Sequence, residues 1–276
     1  MKHDEQFWPA PDGTRIYQQI WAPDGDARGV VCLAHGQGDH SGRYAHVAAA
    51  LGEAGYATLT CDHHGHGRSE GPRGHTLDYD ALLGEVAQLL AEAERRFPGR
   101  PRFLYGHSMG GGLVLNYALR RRPAIAGVIA TSPWLRLAFA PPAWKLTLGR
   151  LMDRLSPTFT QASGLDTKAI SRDPQAVRAY EIDPLNHDKI SARQFASCYA
   201  AGLWALEHAG EFSLPLLLMH GDADRITSAA ASREFAARVP GCTFKIWDGC
   251  YHEIHNEPEQ QALFATITGW LHAHTS

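Results

Sequence analysis

A chain of 276 residues with 44% hydrophobic content can bury a large core, as one domain or as one domain carrying an insertion. Its formal net charge of −3, from 26 Lys and Arg against 29 Asp and Glu, leaves no basic footprint for nucleic acid. Disorder is excluded by the same composition, and the five cysteines, odd in number and far from any Cys-x-x-Cys spacing, read as reduced, mostly buried thiols rather than a disulfide framework or thiolate zinc site.

The first residues, MKHDEQFWPAPDG, lack the basic region followed by an apolar run of a signal peptide, and no stretch approaches eighteen apolar residues, so the expected location is the cytoplasm. Arg15 to Ala22, after the Asp12-Gly13 turn signal, reads as part of an antiparallel hairpin. Val30 to His35 and Tyr56 to Asp62 are short apolar runs of the kind that parallel strands show when both sheet faces are covered. Asp78 to Phe97 is helical: Leu82, Leu83, Val86, Leu89, Leu90 and Ala93 share a face, Glu85, Gln88, Glu92 and Arg96 lie off it, and Pro98-Gly99 stops it. Further strands are expected at Arg102 to Gly106 and Gly127 to Ser132.

From Pro133 to about Gly210 only Pro-punctuated helical stretches occur, with no convincing strand, and the strand pattern resumes at Pro215 to Gly221 and Thr243 to Gly249. The expected fold class is therefore α/β, a mostly parallel sheet covered by helices on both faces. Its core would be residues 1–132 and 211–276, with residues 133–210 inserted as a helical cap. Within the cap, Ala143 to Leu155 places Trp144, Leu148, Leu151 and Leu155 on one stripe, with Lys145, Arg150 and Arg154 off it. The expectation is burial of most of that stripe against the core, with docking on a membrane or micelle surface as the alternative.

Between the strand at Arg102 to Gly106 and a following helical run lies Gly106-His107-Ser108-Met109-Gly110. A Gly-x-Ser-x-Gly at such a junction is a nucleophile elbow: the glycines let backbone segments approach without Cβ clashes, and the serine stands on a strained turn above the sheet. The helix beginning near Met109 also aims its first amides where an oxyanion would form. Serine needs a general base and a group that orients it. Asp222 and Asp224 follow the strand at Pro215, and His252 and His255 follow the strand at Thr243, at the strand ends where an open α/β sheet carries its active site. Spacing alone leaves both pairs open.

These residues carry a family resemblance. His35 to Tyr44 (HGQGDHSGRY), Asp62 to Gly71 (DHHGHGRSEG), Gly106 to Gly112, SRDP and AYEIDPL within Ser171 to Leu185, His220 to Ile226 (HGDADRI) and Gly249 to Glu259 resemble the monoacylglycerol lipase and lysophospholipase branch of the α/β-hydrolase superfamily, from about Asp12 to Leu271. The resemblance implies the α/β-hydrolase fold, a catalytic triad of Ser108, Asp224 and His252, and oxyanion-hole amides at Gln37 and Met109. It also implies a polar pocket for a glycerol head group lined by Asp39, Arg43, His107, Tyr180 and His255. Asp39 stands where members with such a pocket carry Glu, one methylene longer.

The implied activity is hydrolysis of a small amphiphilic acyl ester, monoacylglycerol above all, through an acyl-enzyme. A lysophospholipase, short-chain carboxylesterase or acyltransferase on the same fold is the alternative, and a non-catalytic binding protein is disfavoured by the intact triad. No cofactor is implied. The sixteen histidines invite a metal reading, but His63, His64 and His66 fall in a Gly-rich loop that the family carries without metal, and His252-Glu253-Ile254-His255 is not the His-Glu-x-x-His of a zinc protease.

Overall fold

The apolar runs become strands of one eight-stranded sheet in the computed structural model, which describes residues 1–275. In chain order these are β1 (Lys2–Pro9), β2 (Arg15–Ala22), β3 (Gly29–Ala34), β4 (Tyr56–Cys61), β5 (Arg102–His107), β6 (Gly127–Thr131), and, after two short strands β7 (Thr160–Ala162) and β8 (Lys189–Ser191), β9 (Leu216–Gly221) and β10 (Thr243–Trp247). The spatial order is β1-β2-β4-β3-β5-β6-β9-β10. β1 and β2 form the expected hairpin, β2 pairs antiparallel with β4, and every pairing from β4 to β10 is parallel.

Successive residues of these strands serve opposite faces. Val30, Cys32, Leu104, Val128 and Leu218 pack toward α2 (Tyr79–Arg96) and α3 (Met109–Arg121). Val31, Leu33, Phe103, Ile129 and Leu217 pack toward α1 (Ala45–Glu53) and α8 (Gln260–Ala273). Both faces are covered, so β3, β4 and β9 are buried at every position and read in the sequence as unbroken apolar runs. Helix α2 begins where Asp78 accepts a hydrogen bond from the Ala81 amide, and its Arg95 and Arg96 stand in the last turn. Cys32, Cys61, Cys198 and Cys250 are buried free thiols and Cys242 is half-buried.

Between β6 and β9 the chain runs through α4 (Ala143–Leu155), β7, α5 (Pro174–Ile182), β8 and α6 (Ala192–Glu207) before α7 (Ala229–Arg238) resumes the core pattern. Two expectations are corrected here. β7 and β8 pair antiparallel where no strand was expected, because three residues each are too short to show a period. Helix α4 buries none of its residues, and Trp144 and Leu155 remain 63% and 72% exposed, because the helix lies along α6 and roofs a cavity, which leaves its apolar stripe uncovered. Its neighbours are more firmly held: the His187 amide donates to the Gly38 carbonyl (3.0 Å), the Ser191 amide to Gly74 (2.7 Å), and His40 Nε2 meets Asp183 at 2.9 Å. Among the described residues no helix is long and apolar enough to cross a membrane.

Candidate active site

Ser108 links β5 to α3 with φ 54° and ψ −115°, a backbone conformation that costs a non-glycine residue about 1–3 kcal/mol and persists only where its surroundings enforce it. The enforcement is visible at the glycines on either side. A Cβ on Gly106 would lie 2.1 Å from the Gly110 carbonyl oxygen, and one on Gly110 would lie 2.1 Å from that of Ala34. The Ser108 amide donates to Thr131 (3.0 Å), and its carbonyl accepts from Gly112 and Trp134. The elbow is thus clamped from β3, from β6 and by its own helix.

His252 follows β10, and its Nε2 lies 2.9 Å from Ser108 Oγ. Its Nδ1 lies 2.7 Å from Asp224 Oδ2, in the turn after β9. Asp224 in turn accepts the Ile226 and Thr227 amides on Oδ1 (2.7 and 3.1 Å) and the Thr227 hydroxyl on Oδ2 (2.9 Å). Ser132 donates its hydroxyl to the His252 carbonyl (2.7 Å), fixing the loop that carries the ring. Asp222 points elsewhere, accepting the Gly249 amide at 2.6 Å and tying the two loops together.

Burial opposes a charge on His252, but the Asp224 carboxylate, followed by Glu253 and Asp39, outweighs it and holds the ring above its ordinary value. Burial likewise raises Asp224, yet His252 and the hydrogen bonds from His220 and His252 hold it below the usual carboxylate range. His107, by contrast, is kept well below its ordinary value by burial and by the neighbouring His255 and His252 rings.

The amides of Gln37 and Met109 donate to no group among the described residues. The loop carrying Gln37 passes so near the serine that a Cβ on Gly36 would be 3.4 Å from Ser108 Cβ. The Gln37 side chain turns away, donating to the Lys189 carbonyl (2.9 Å) and accepting from Gln194. Two free donors thus flank a serine whose proton has an acceptor, at the floor of a cavity of about 820 Å³. Leu137, Phe139, Leu146, Met152, Phe159 and Phe195 supply its apolar wall.

The expected head-group residues divide. Asp39, His107 and Tyr180 line the cavity, whereas Arg43 and His255 do not. Arg43 stands behind the wall, donating twice to Glu253 (2.9 and 2.7 Å) and once to Asp39 (3.0 Å), with its guanidinium over the Tyr180 ring at 4.8 Å. His255 is fully buried against Tyr44, His46 and His107, and among the described residues neither of its ring nitrogens has a partner. Burial brings its pKa down to about 3. The pocket expectation is therefore corrected for these two, because the Glu253 carboxylate captures the arginine and the loop after β10 folds His255 inward. The sequence assigns no role to Glu253, Thr227 or Ser132, because an acidic or hydroxyl residue in a loop carries no local signal of its partner.

His63, His64 and His66 lie in the loop after β4. His63 Nδ1 meets Glu85 Oε2 at 2.5 Å, the His64 amide donates to Glu85 Oε1 at 3.0 Å, and Cys61 lies within ligand reach of this pair. Glu85 of α2 is thereby used to hold the loop.

Comparison with known proteins agrees with this architecture. The Hydrolase_4 family, described as serine aminopeptidase, S33, matches residues 25–259. A monoacylglycerol lipase of Mycolicibacterium smegmatis is 37% identical over 273 residues, spanning 98% of this chain and 97% of that one. Human monoglyceride lipase is 30% identical over 278 residues, spanning 96% and 89%. The crystal structure of Paleococcus ferrophilus monoacylglycerol lipase superposes with a TM-score of 0.87 at 35% identity, covering 94% of this chain and 99% of that one. The chain belongs to the Hydrolase_4 (serine aminopeptidase, S33) family, in the monoacylglycerol lipase and lysophospholipase branch of the α/β-hydrolases.

Proposed function

We propose that this chain is a serine ester hydrolase that cleaves monoacylglycerol to glycerol and a fatty acid. The observation that carries the reading is the continuous hydrogen-bonded path from Ser108 through His252 to Asp224 at the floor of an apolar cavity. Ser108 Oγ attacks the ester carbonyl as His252 Nε2 takes its proton, and Asp224 holds the ring so that Nδ1 carries the other proton. The Gln37 and Met109 amides receive the oxyanion. Collapse breaks the ester bond, and glycerol leaves with the proton from His252. Water then repeats the sequence on the acyl-enzyme, with His252 again as base, and releases the fatty acid.

The apolar wall suits the acyl chain, and Asp39, His107 and Tyr180 offer polar contacts for the head group. The relatives named as monoacylglycerol and monoglyceride lipases support the same substrate. Residues 133–210 act as the cap, and the exposed Trp144, Leu148, Leu151 and Leu155 of α4, with Lys145 on the same helix, meet the lipid surface from which the substrate is drawn.

A fluorophosphonate probe should label wild-type protein on Ser108, and Ser108→Ala should abolish labelling and lower kcat on a monoacylglycerol by about 10⁵- to 10⁶-fold. Labelling that survives the substitution would end the assignment. Faster turnover of a lysophospholipid with the same acyl chain would move the substrate to that class.

A further inference from the structure

A second imidazole reaches the Asp224 carboxylate. His220, near the end of β9 and beside Ile246 of β10, is fully buried, and its Nε2 lies 3.0 Å from Asp224 Oδ2, the same oxygen that meets His252. Its other nitrogen, Nδ1, lies 2.8 Å from the hydroxyl of Ser232 on α7, which is itself fully buried. An ionised carboxylate only accepts hydrogen bonds, so the Nε2 facing it must carry the proton. In a neutral ring Nδ1 is then an acceptor, and the Ser232 hydroxyl, the group within reach of it, donates to it. Asp224 thus selects the tautomer of both rings, and Ser232 satisfies and holds the remaining nitrogen of His220.

We propose that His220, held in place by Ser232, is a positioning residue for the triad: it anchors Asp224 Oδ2 as a second imidazole donor beside His252 and shares its negative charge. The inference rests on the catalytic roles proposed above for Ser108, His252 and Asp224. It assigns two things to His220. The carboxylate stays in the plane where the His252 Nδ1–H can reach it, and part of its charge is spent on a second donor, so His252 is less basic than a lone carboxylate would make it. A base that must return its proton to the leaving alcohol gains from that moderation. Amides from Ile226 and Thr227 hold Oδ1, so the His220 contact is specific to the oxygen that the reaction uses.

The test is the kcat/KM pH profile of wild type, His220→Leu, His220→Gln and Ser232→Ala on a monoacylglycerol. His220→Leu fills the space and removes the donor. Its kcat should fall about tenfold with KM within about twofold, as for a contact that matters mainly in the transition state. The acid limb should move to higher pH by roughly half a unit, because one of the donors that share Asp224 Oδ2 with His252 is then gone. His107, Glu253, Asp39 and His255 also face His252, and all are unchanged across the series, so the shift reports on Asp224.

His220→Gln places an amide donor near the Nε2 position and should recover most of both effects. Ser232→Ala should give a smaller change in the same direction, since it leaves Nδ1 without its donor and the ring less firmly held against Asp224. A Leu variant that folds with an unmoved acid limb, or a Gln variant no better than Leu, overturns the proposal. If His220→Leu fails to fold, an unchanged kcat and limb in Ser232→Ala does so. Wild-type protein without esterase activity would refute the triad reading instead, a distinguishable result.

Discussion

Replacing Arg43 by Met should destabilise the protein severely. The Arg43, Asp39 and Glu253 side chains are 9%, 4% and 5% exposed, and one guanidinium serves both carboxylates. Methionine keeps the apolar stem but leaves two buried carboxylates without their cation. Breaking a buried pair from one side costs about 3–5 kcal/mol. At about two to four degrees per kcal/mol for chains of this size, Tm should fall by about 6–20 °C at pH 7.5. The sign with pH follows from Glu253, whose folded pKa is pushed up by burial but held well below the usual range by Arg43. In wild type its contribution is present above the unfolded value of about 4.3 and is lost as pH falls through the folded one. Without Arg43 burial raises the Glu253 pKa, so the variant recovers relative stability on acidification and the Tm gap should narrow toward pH 4.5. Thermal unfolding followed by circular dichroism across pH 4.5–8 measures both numbers, and Glu253→Gln added to the variant should restore part of the loss. A Tm within about 2 °C of wild type at pH 7.5, or a gap that widens with acid, would refute this account of the cluster.

The raised pKa of His252 places the acid limb of kcat/KM above the ordinary imidazole value of about 6.5, since only the neutral ring accepts the serine proton; a limb below 6 contradicts it. Gly110→Ala should yield no folded active enzyme, because its Cβ would meet the Ala34 carbonyl at 2.1 Å and that of His35 at 2.6 Å; soluble expression and probe labelling check this. His255→Phe removes two buried, unpartnered nitrogens, so chemical denaturation should find the variant within about 1 kcal/mol of wild type or more stable, with hydrolysis of a p-nitrophenyl ester unchanged within about threefold.

The parallel sheet was legible because β3, β4 and β9 are buried on both faces, which leaves apolar runs with turn residues at each end. The elbow was legible for a related reason: where backbones approach as closely as Gly110 and Ala34 do, no other residue than glycine fits, so the constraint is written at single positions. Chain order brought an aspartate and a histidine to the ends of two later strands, but the choice within each pair depends on which way a loop side chain faces. Only the fold turns Asp222 onto the Gly249 amide and Asp224 onto His252. The same holds for Arg43, whose Glu253 partner lies far along the chain, for His255, whose packing neighbours come from other segments, and for α4, whose apolar stripe has the same spacing whether it covers a core or a cavity. Local sequence encodes what one segment must be, whereas contacts such as that of Arg43 with Glu253 exist only once distant segments are brought together.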